Sequence, residues 1–286
     1  MTLTSISLKY FGSTSRWIRK YFADIKDDLQ KAGLNYTLDE YLSVALFVTT
    51  ITFVAETLTL PFIFALLFPP GIAILAGATL AVALSGIVFF LFYSYPTTKA
   101  KVRDNRIKKI LPFAVSYLAT MASSRVEPVY LFKTIGGFKE YGEVAEEANM
   151  IVRDVEVFGM TISTAIKNQA RRTSSKDFSE LLWGMNTIII SGGDLTSYLK
   201  QKAESYMNDY RRRIRKYSQD LSLFVEIYLT LIITGSIFFV VLSSIISTVG
   251  GGLATIGIQS FVVFILLPVL SVGFIFVIKA ISPIEA

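Results

Sequence analysis

The sequence predicts an all-α membrane protein, with four transmembrane helices in two hairpins around a cytoplasmic helical bundle, the last bundle helix continuous with the third span. Three observations predict it. Of the 286 residues, 52% are hydrophobic and the mean hydropathy is +0.54, too apolar for an ordinary soluble domain. Charge almost vanishes from two long stretches: Glu56 is the only charged residue from Leu42 to Thr98, and Glu226 the only one from Leu221 to Val277. Between them, residues 96–220 hold 21 of the 28 Lys and Arg and 14 of the 22 acids, a net +7, with apolar residues at helical spacing and no strand-like alternation.

The elements follow in order. Residues 1–40 form an N-terminal segment in which 9–31 reads as one amphipathic helix. Trp17, Ile18, Tyr21, Phe22, Ile25 and Leu29 share a face, Arg16, Arg19, Lys20, Lys26 and Lys31 cover much of the rest, and Gly33 stops it. Such a helix either lies flat in the headgroup layer or packs on the main domain. Thr37 and Glu40 make a capping box that starts the first span. Residues 41–95 are the first hairpin, with Pro61 as a kink, Pro69-Pro70-Gly71 as the turn, and Tyr93 and Tyr95 as interfacial aromatics. Pro96 and the Lys99–Lys109 charge run mark the exit into water.

Residues 96–220 are the bundle. Its first helix presents Ile107, Ile110, Leu111, Ala114, Val115, Leu118 and Met121. A short helix runs from Pro128 to Gly136-Gly137, another from Tyr141 to Phe158 closed by Gly159, another from Thr161 to Arg171, and Ser175 caps the next. Gly192-Gly193 breaks the chain and Asp194 caps a final helix with no breaker before the apolar run Leu221–Ile246. About 50 residues in one helix would measure roughly 75–80 Å. Residues 221–286 are the second hairpin, turning at Gly250-Gly251-Gly252, with Pro268 in the last span and Lys279 at its end.

Each apolar run exceeds the roughly 20 residues that cross hydrocarbon. Both short turns lack Lys and Arg, whereas the other span ends carry them, so both termini and residues 96–220 are expected in the cytoplasm. The chain has no Cys and no His, which excludes disulfides, thiolate chemistry and imidazole catalysis. No GxxxxGK[ST] occurs, no ligand-spaced carboxylate cluster suggests a metal, and residues 1–30 lack a signal-peptide core. No catalytic residue, cofactor or metal is expected.

The stretches LPFAVSYLATMASS and YGEVAEEANMIVRDVEVFGMTISTAIKNQARRTSSKDFSELLWGMNTIIISGGDLTSYL lie within residues 111–199. Together they resemble the helical domain of the type II secretion F family, the inner-membrane platform proteins of secretion systems, type IV pili, Tad pili and archaella. The likeness is strongest to the archaeal and Tad-like branch. Its pattern falls on Gly159, Ala165, Ala170, Arg172, Thr173, Ser174 and Gly192-Gly193. One departure is Arg125, where members often have Gly. The resemblance implies an assembly platform in the cytoplasmic membrane, working with a separate hexameric secretion ATPase and pilin-like subunits. Many members carry two copies of the domain; one copy here implies a homodimer or a sibling subunit.

Candidate sites follow from charge. Arg171, Arg172, Lys176, Lys108 and Lys109 can meet a cytoplasmic motor or form a solvated face. Arg211, Arg212, Arg213, Arg215 and Lys216 read as an anchor on anionic lipid, each worth about 1 kcal/mol near the surface. Glu56, mid-span, costs roughly 2.5–3.5 kcal/mol on insertion scales and is either a contact to a partner span or a buried hydrogen bond, to Thr52 for example. Glu226 is about one turn inside the third span and can reach the interface. Gly192, Gly193 and Asp194 form a cap and a possible hinge. Nucleic-acid binding fits poorly, because acids such as Glu143, Glu146, Glu147 and Asp154 intersperse the bases. Two rival functions are a transporter subunit, with Glu56 in a polar path, and a passive membrane scaffold.

Overall fold

The structure, a computed structural model, describes residues 3–249, 257 and 260–281. Among them the chain is all helical, with no strand. It falls into two compact units, Met1–Glu204 and Ser205–Ala286. Four helical stretches are long and apolar enough to cross a membrane: Leu38–Ala65, Pro70–Ala122, Leu195–Ile246 and Val262–Lys279.

In the first unit, helix α3 (Leu38–Ala65) opens on the predicted capping box. The Glu40 amide donates to Thr37 Oγ1 (3.3 Å) and the Thr37 amide to Glu40 Oε2 (2.7 Å). It packs on α4 (Pro70–Ala122) along a stripe of small residues at steps of four: Ala73, Gly77, Ala81 and Ser85, all buried. Small residues let the backbones close up. At Gly77 a Cβ would come 2.7 Å from the Pro61 nitrogen.

Helix α4 corrects one expectation. The exit at Pro96 is not a break, because α4 runs 53 residues through Pro96 and Pro112 into the bundle. Proline lacks the N–H that would bond the carbonyl four residues back. For Pro96 that carbonyl is Phe92 O, and the Tyr41 hydroxyl of α3 donates to it at 2.7 Å. A neighbouring helix supplies the missing donor, so the helix continues.

The N-terminal helix is the second correction. It is two helices, α1 (Leu3–Ile18) and α2 (Asp24–Lys31), parted by a 3₁₀ turn at Arg19–Tyr21 and a non-helical Phe22 (φ −120°). The break removes Trp17 and Tyr21 from the apolar face; both are exposed, while Ile25 and Leu29 are buried. Phe22 packs edge-on against Phe89 and Tyr93 of α4, and the Thr97 hydroxyl donates to Asp28 Oδ2 at 2.6 Å. Both helices pack on the first hairpin. Gly33 stops α2 in the left-handed region (φ +66°).

The bundle helices follow the predicted sequence: α5 (Pro128–Gly137), α6 (Gly142–Glu156), α7 (Ile162–Arg172), α8 (Lys176–Ser191) and the start of α9 (Leu195–Tyr228). Thr161 and Ser175 cap α7 and α8 through the Thr164 and Phe178 amides. The core joins Ile107, Leu111, Leu118, Phe132, Ile151, Ile166, Phe178 and Leu182, each no more than 2% exposed.

Helix α9 continues past Glu204 into the second unit, as its unbroken periodicity predicts. A π-helical turn at Leu229–Thr234, unforeseen in the sequence, leads into α10 (Gly235–Val249). Another π turn, Val262–Leu266, precedes α11 (Leu267–Ile281), whose Pro268 leaves the Phe264 carbonyl without its usual donor and loosens that turn. Tyr228 stacks on Phe274 at 4.7 Å and shares a 3.1 Å hydrogen bond with Ser271. The predicted turn at Gly250–Gly252 and the tail after Ile281 lie outside the described residues.

Candidate functional site

The most built polar feature is an ionic hub around Arg103 of α4, seven residues past Pro96 on the helix that enters the bundle. Its Nε lies 2.8 Å from Glu143 Oε2, and its Nη2 is 3.8 Å from Glu146 Oε2 and 3.6 Å from Glu147 Oε1, all on α6. Glu143, Glu146 and Glu147 share one helical face, the i, i+3, i+4 relation. The guanidinium is about nine-tenths buried and Glu147 is 1% exposed. Glu147 Oε2 has no hydrogen-bond partner. Burial pushes the Glu147 carboxyl above its usual range, against the opposing pull of Thr173, Gln169 and Arg103. A Cβ at Gly33 would overlap Arg103 Nη1, so the α2–α3 turn also closes on this guanidinium. One arginine thus ties α4, α6 and the N-terminal segment together.

Sequence reasoning missed Arg103 as a special residue because it sits inside the Lys99–Lys109 charge run. The signal was its position: Ala100, Arg103, Ile107, Leu111, Ala114 and Leu118 step by three and four, and all are buried. A charge on an apolar stripe must find partners.

Arg171, Arg172 and Lys176 come together at the α7–α8 turn, and all three are exposed. The two arginines occupy the last turn of α7, where positive charge complements the helix dipole. Arg171 lies over the Trp183 ring at 5.9 Å. Lys108 and Lys109 differ. Both are half-buried, Lys108 is paired to Asp104 at 2.7 Å, and Lys109 is engaged as well, so neither offers a comparable free cation. In the second unit Arg211, Arg212, Arg213, Arg215 and Lys216 are all exposed, with Arg212 paired to Asp209.

Gly192 ends α8 in the left-handed region (φ +68°), and the Gly193 amide reaches back to Ile188 O at 3.0 Å. Asp194 caps α9: the Thr196 amide donates to its Oδ1 at 2.9 Å and the Ser197 hydroxyl to its Oδ2. The Ser197 bond holds this carboxyl below its usual range. The Thr196 hydroxyl donates to Ala122 O (2.9 Å), bracing the start of α9 against the end of α4. Arg125 takes the left-handed conformation (φ +53°) that a glycine would favour, so the turn of the resembling domain survives the substitution. These two turns line a shallow cleft of about 310 Å³.

Glu56 is half-buried, with Oε2 shielded and without a hydrogen-bond partner. The Thr52 hydroxyl is not its partner, as it donates to Val48 O at 2.9 Å. Glu226 is exposed, two residues before Tyr228.

In the first unit a helical bundle is continuous, through α4, with a helix long and apolar enough to cross a membrane, which defines a membrane-protein class of fold. Residues 114–243 match the family model described as type II secretion system (T2SS), protein F. Among curated proteins of Methanocaldococcus jannaschii, the chain is 25% identical over 142 residues to the uncharacterized protein MJ1286, half of this chain and 24% of that one. It is 22% identical over 174 residues to the flagella accessory protein J, 57% of this chain and 31% of that one. With the uncharacterized protein MJ0780 it shares 26% over 106 residues, 36% of this chain and 32% of that one. The matched part is thus a quarter to a third of each relative's length. No solved structure matches the chain.

Proposed function

We propose that the chain is the membrane platform of a type IV pilus-like, archaellum-like or type II secretion-like machine, coupling a separate hexameric ATPase to the assembly of pilin-like subunits. The observation that carries the reading is α4. It runs unbroken from an apolar span into the bundle, its proline gap is closed by Tyr41, and it is locked to α6 by Arg103. A displacement applied to the bundle is therefore passed to the span without a loop to absorb it. The match to the T2SS protein F model and the similarity to the flagella accessory protein J support the same class of machine. Both ends of the chain meet the membrane from the motor's side, where the bundle also lies, and a second F-domain, from another copy or a sibling subunit, completes the platform.

The motor contacts the exposed α7–α8 turn through Arg171, Arg172 and Lys176, while Arg211, Arg212, Arg213, Arg215 and Lys216 lie on anionic lipid. Reversing Arg171, Arg172 and Lys176 to Glu in the full-length protein weakens ATPase binding by about tenfold, from exposed pairs worth roughly 0.2–1 kcal/mol each. Added salt weakens the wild-type complex. Reversing Arg211–Arg213 has a smaller effect on the ATPase and lowers affinity for anionic vesicles. Equal loss of ATPase binding from both sets rules out this division, and no binding of any such ATPase rules out the platform. Solute flux through proteoliposomes would instead point to a transporter.

A further inference from the structure

We propose that α1 stands upright along the first span and buries its first turns in the bilayer leaflet nearer the bundle, adding a half-membrane helix to the four spans. The inference rests on α3 being a span.

The register is set by two contacts. Phe11 packs edge-on against Phe47 with ring centroids 6.3 Å apart, and Arg19 pairs with Asp39 at 3.5 Å. These contacts are eight residues apart on each helix and run in opposite directions, so α1 is antiparallel to α3. A helix aligned with a span cannot also lie in the membrane plane. Ser7 and Ser15, two turns apart on either side of Phe11, are 0% exposed and let the two backbones approach. Their hydroxyls donate to the chain's own carbonyls, Thr4 O at 3.0 Å and Gly12 O at 3.2 Å, so this seam needs no water.

Depth follows from counting. Four residues beyond Phe11, Ser7 is level with Ile51; four more bring the start of α1 level with Ala55. The outer turn of the hairpin lies at Leu66–Pro69. Counting back about 20 residues at 1.5 Å from the helix end beside Leu66, the roughly 30 Å of hydrocarbon, places its inner edge near Leu46. Tilt would need more residues and move that edge to lower numbers, deeper for α1. The part of α1 from Leu3 to Ser7 therefore lies inside hydrocarbon.

The side chains agree with this placement. Ile6 and Leu8 are at the deep end. Lys9 and Tyr10, both exposed and level with Thr49 and Val48, fall within one turn of the edge, from where a lysine reaches out to headgroups and a tyrosine hydroxyl to the interface. The polar residues Ser13, Thr14 and Arg16 follow on the water side.

The Cys-free chain allows a direct test. Single cysteines replace Ile6, Tyr10, Thr14 and Trp17, with Leu58 of α3 as reference. Each full-length variant is nitroxide-labelled and reconstituted into phosphatidylcholine–phosphatidylglycerol vesicles, and collisions with oxygen and with a water-soluble nickel complex are compared. The expected result is nickel shielding at Leu58 and Ile6, with nickel access rising steadily through Tyr10 and Thr14 to Trp17. Tyr10, Thr14 and Trp17 are solvent-facing on the fold, so they carry the gradient even if the Ile6 variant packs poorly. Shielding at Leu58 with uniform nickel access along α1 overturns the half-membrane helix alone. Nickel access at Leu58 overturns the span on which it rests.

Discussion

Replacing Arg103 with Met tests whether the α4–α6 junction is held by charge. The substitution keeps an unbranched chain and removes the guanidinium. Among the described residues it leaves Glu147, 1% exposed, with no ion-pair partner, and Glu143 with only the more exposed Arg106, 3.4 Å away. Removing one partner of a buried ion pair costs about 3–5 kcal/mol, because the remaining charge stays buried and unpaired. Burial already pushes the Glu147 carboxyl above its usual range and losing the arginine's pull raises it further, so proton uptake offsets part of that cost, leaving an expected loss of about 3 kcal/mol. For a unit of this size that is a drop in unfolding midpoint of roughly 6–12 °C. The assay is thermal unfolding of the full-length protein in detergent at one scan rate, beside Lys133→Met. Lys133 makes a surface pair with Glu156, both about half exposed, whose loss should cost no more than about 1 kcal/mol. Adding Glu147→Gln to Arg103→Met should recover part of the loss, since the buried charge is then gone. If Arg103→Met behaves like Lys133→Met, or if Glu147→Gln recovers nothing, the junction is held by apolar packing and the hub argument fails.

Two further outcomes can be checked the same way. Tyr41→Phe should destabilise by about 1–3 kcal/mol by stranding the Phe92 carbonyl, yet be close to neutral in a Pro96→Ala background, where the restored amide reclaims that carbonyl; equal cost in both backgrounds would mean that Tyr41 does not close the proline gap. Because burial raises the Glu147 carboxyl above its unfolded value of 4.5, its contribution is fully present below pH 4.5 and is lost as pH rises through the higher folded value. Glu147→Gln should therefore flatten the decline in stability above pH 4.5, and an unchanged slope would show that the group titrates normally.

Much of this protein was legible from local sequence. Apolar runs identified the span candidates because hydrocarbon tolerates no uncompensated charge. The box and caps at Thr37, Ser175 and Asp194, and the turn at Gly192, were readable because each is satisfied within a few residues of itself. Tertiary structure decided what depended on a distant group. Pro96 reads as an exit until Tyr41, 55 residues earlier, supplies the donor that keeps α4 whole. Arg103 reads as one more cation in a charge run until Glu143 and Glu147 meet it from α6. The N-terminal periodicity reads as one helix until the docking of Phe22 on Phe89 and Tyr93 accompanies its break. Periodicity records which face of a helix is apolar, but not which neighbour will satisfy a carbonyl, a carboxylate or a ring, and those neighbours are set only when the chain is packed.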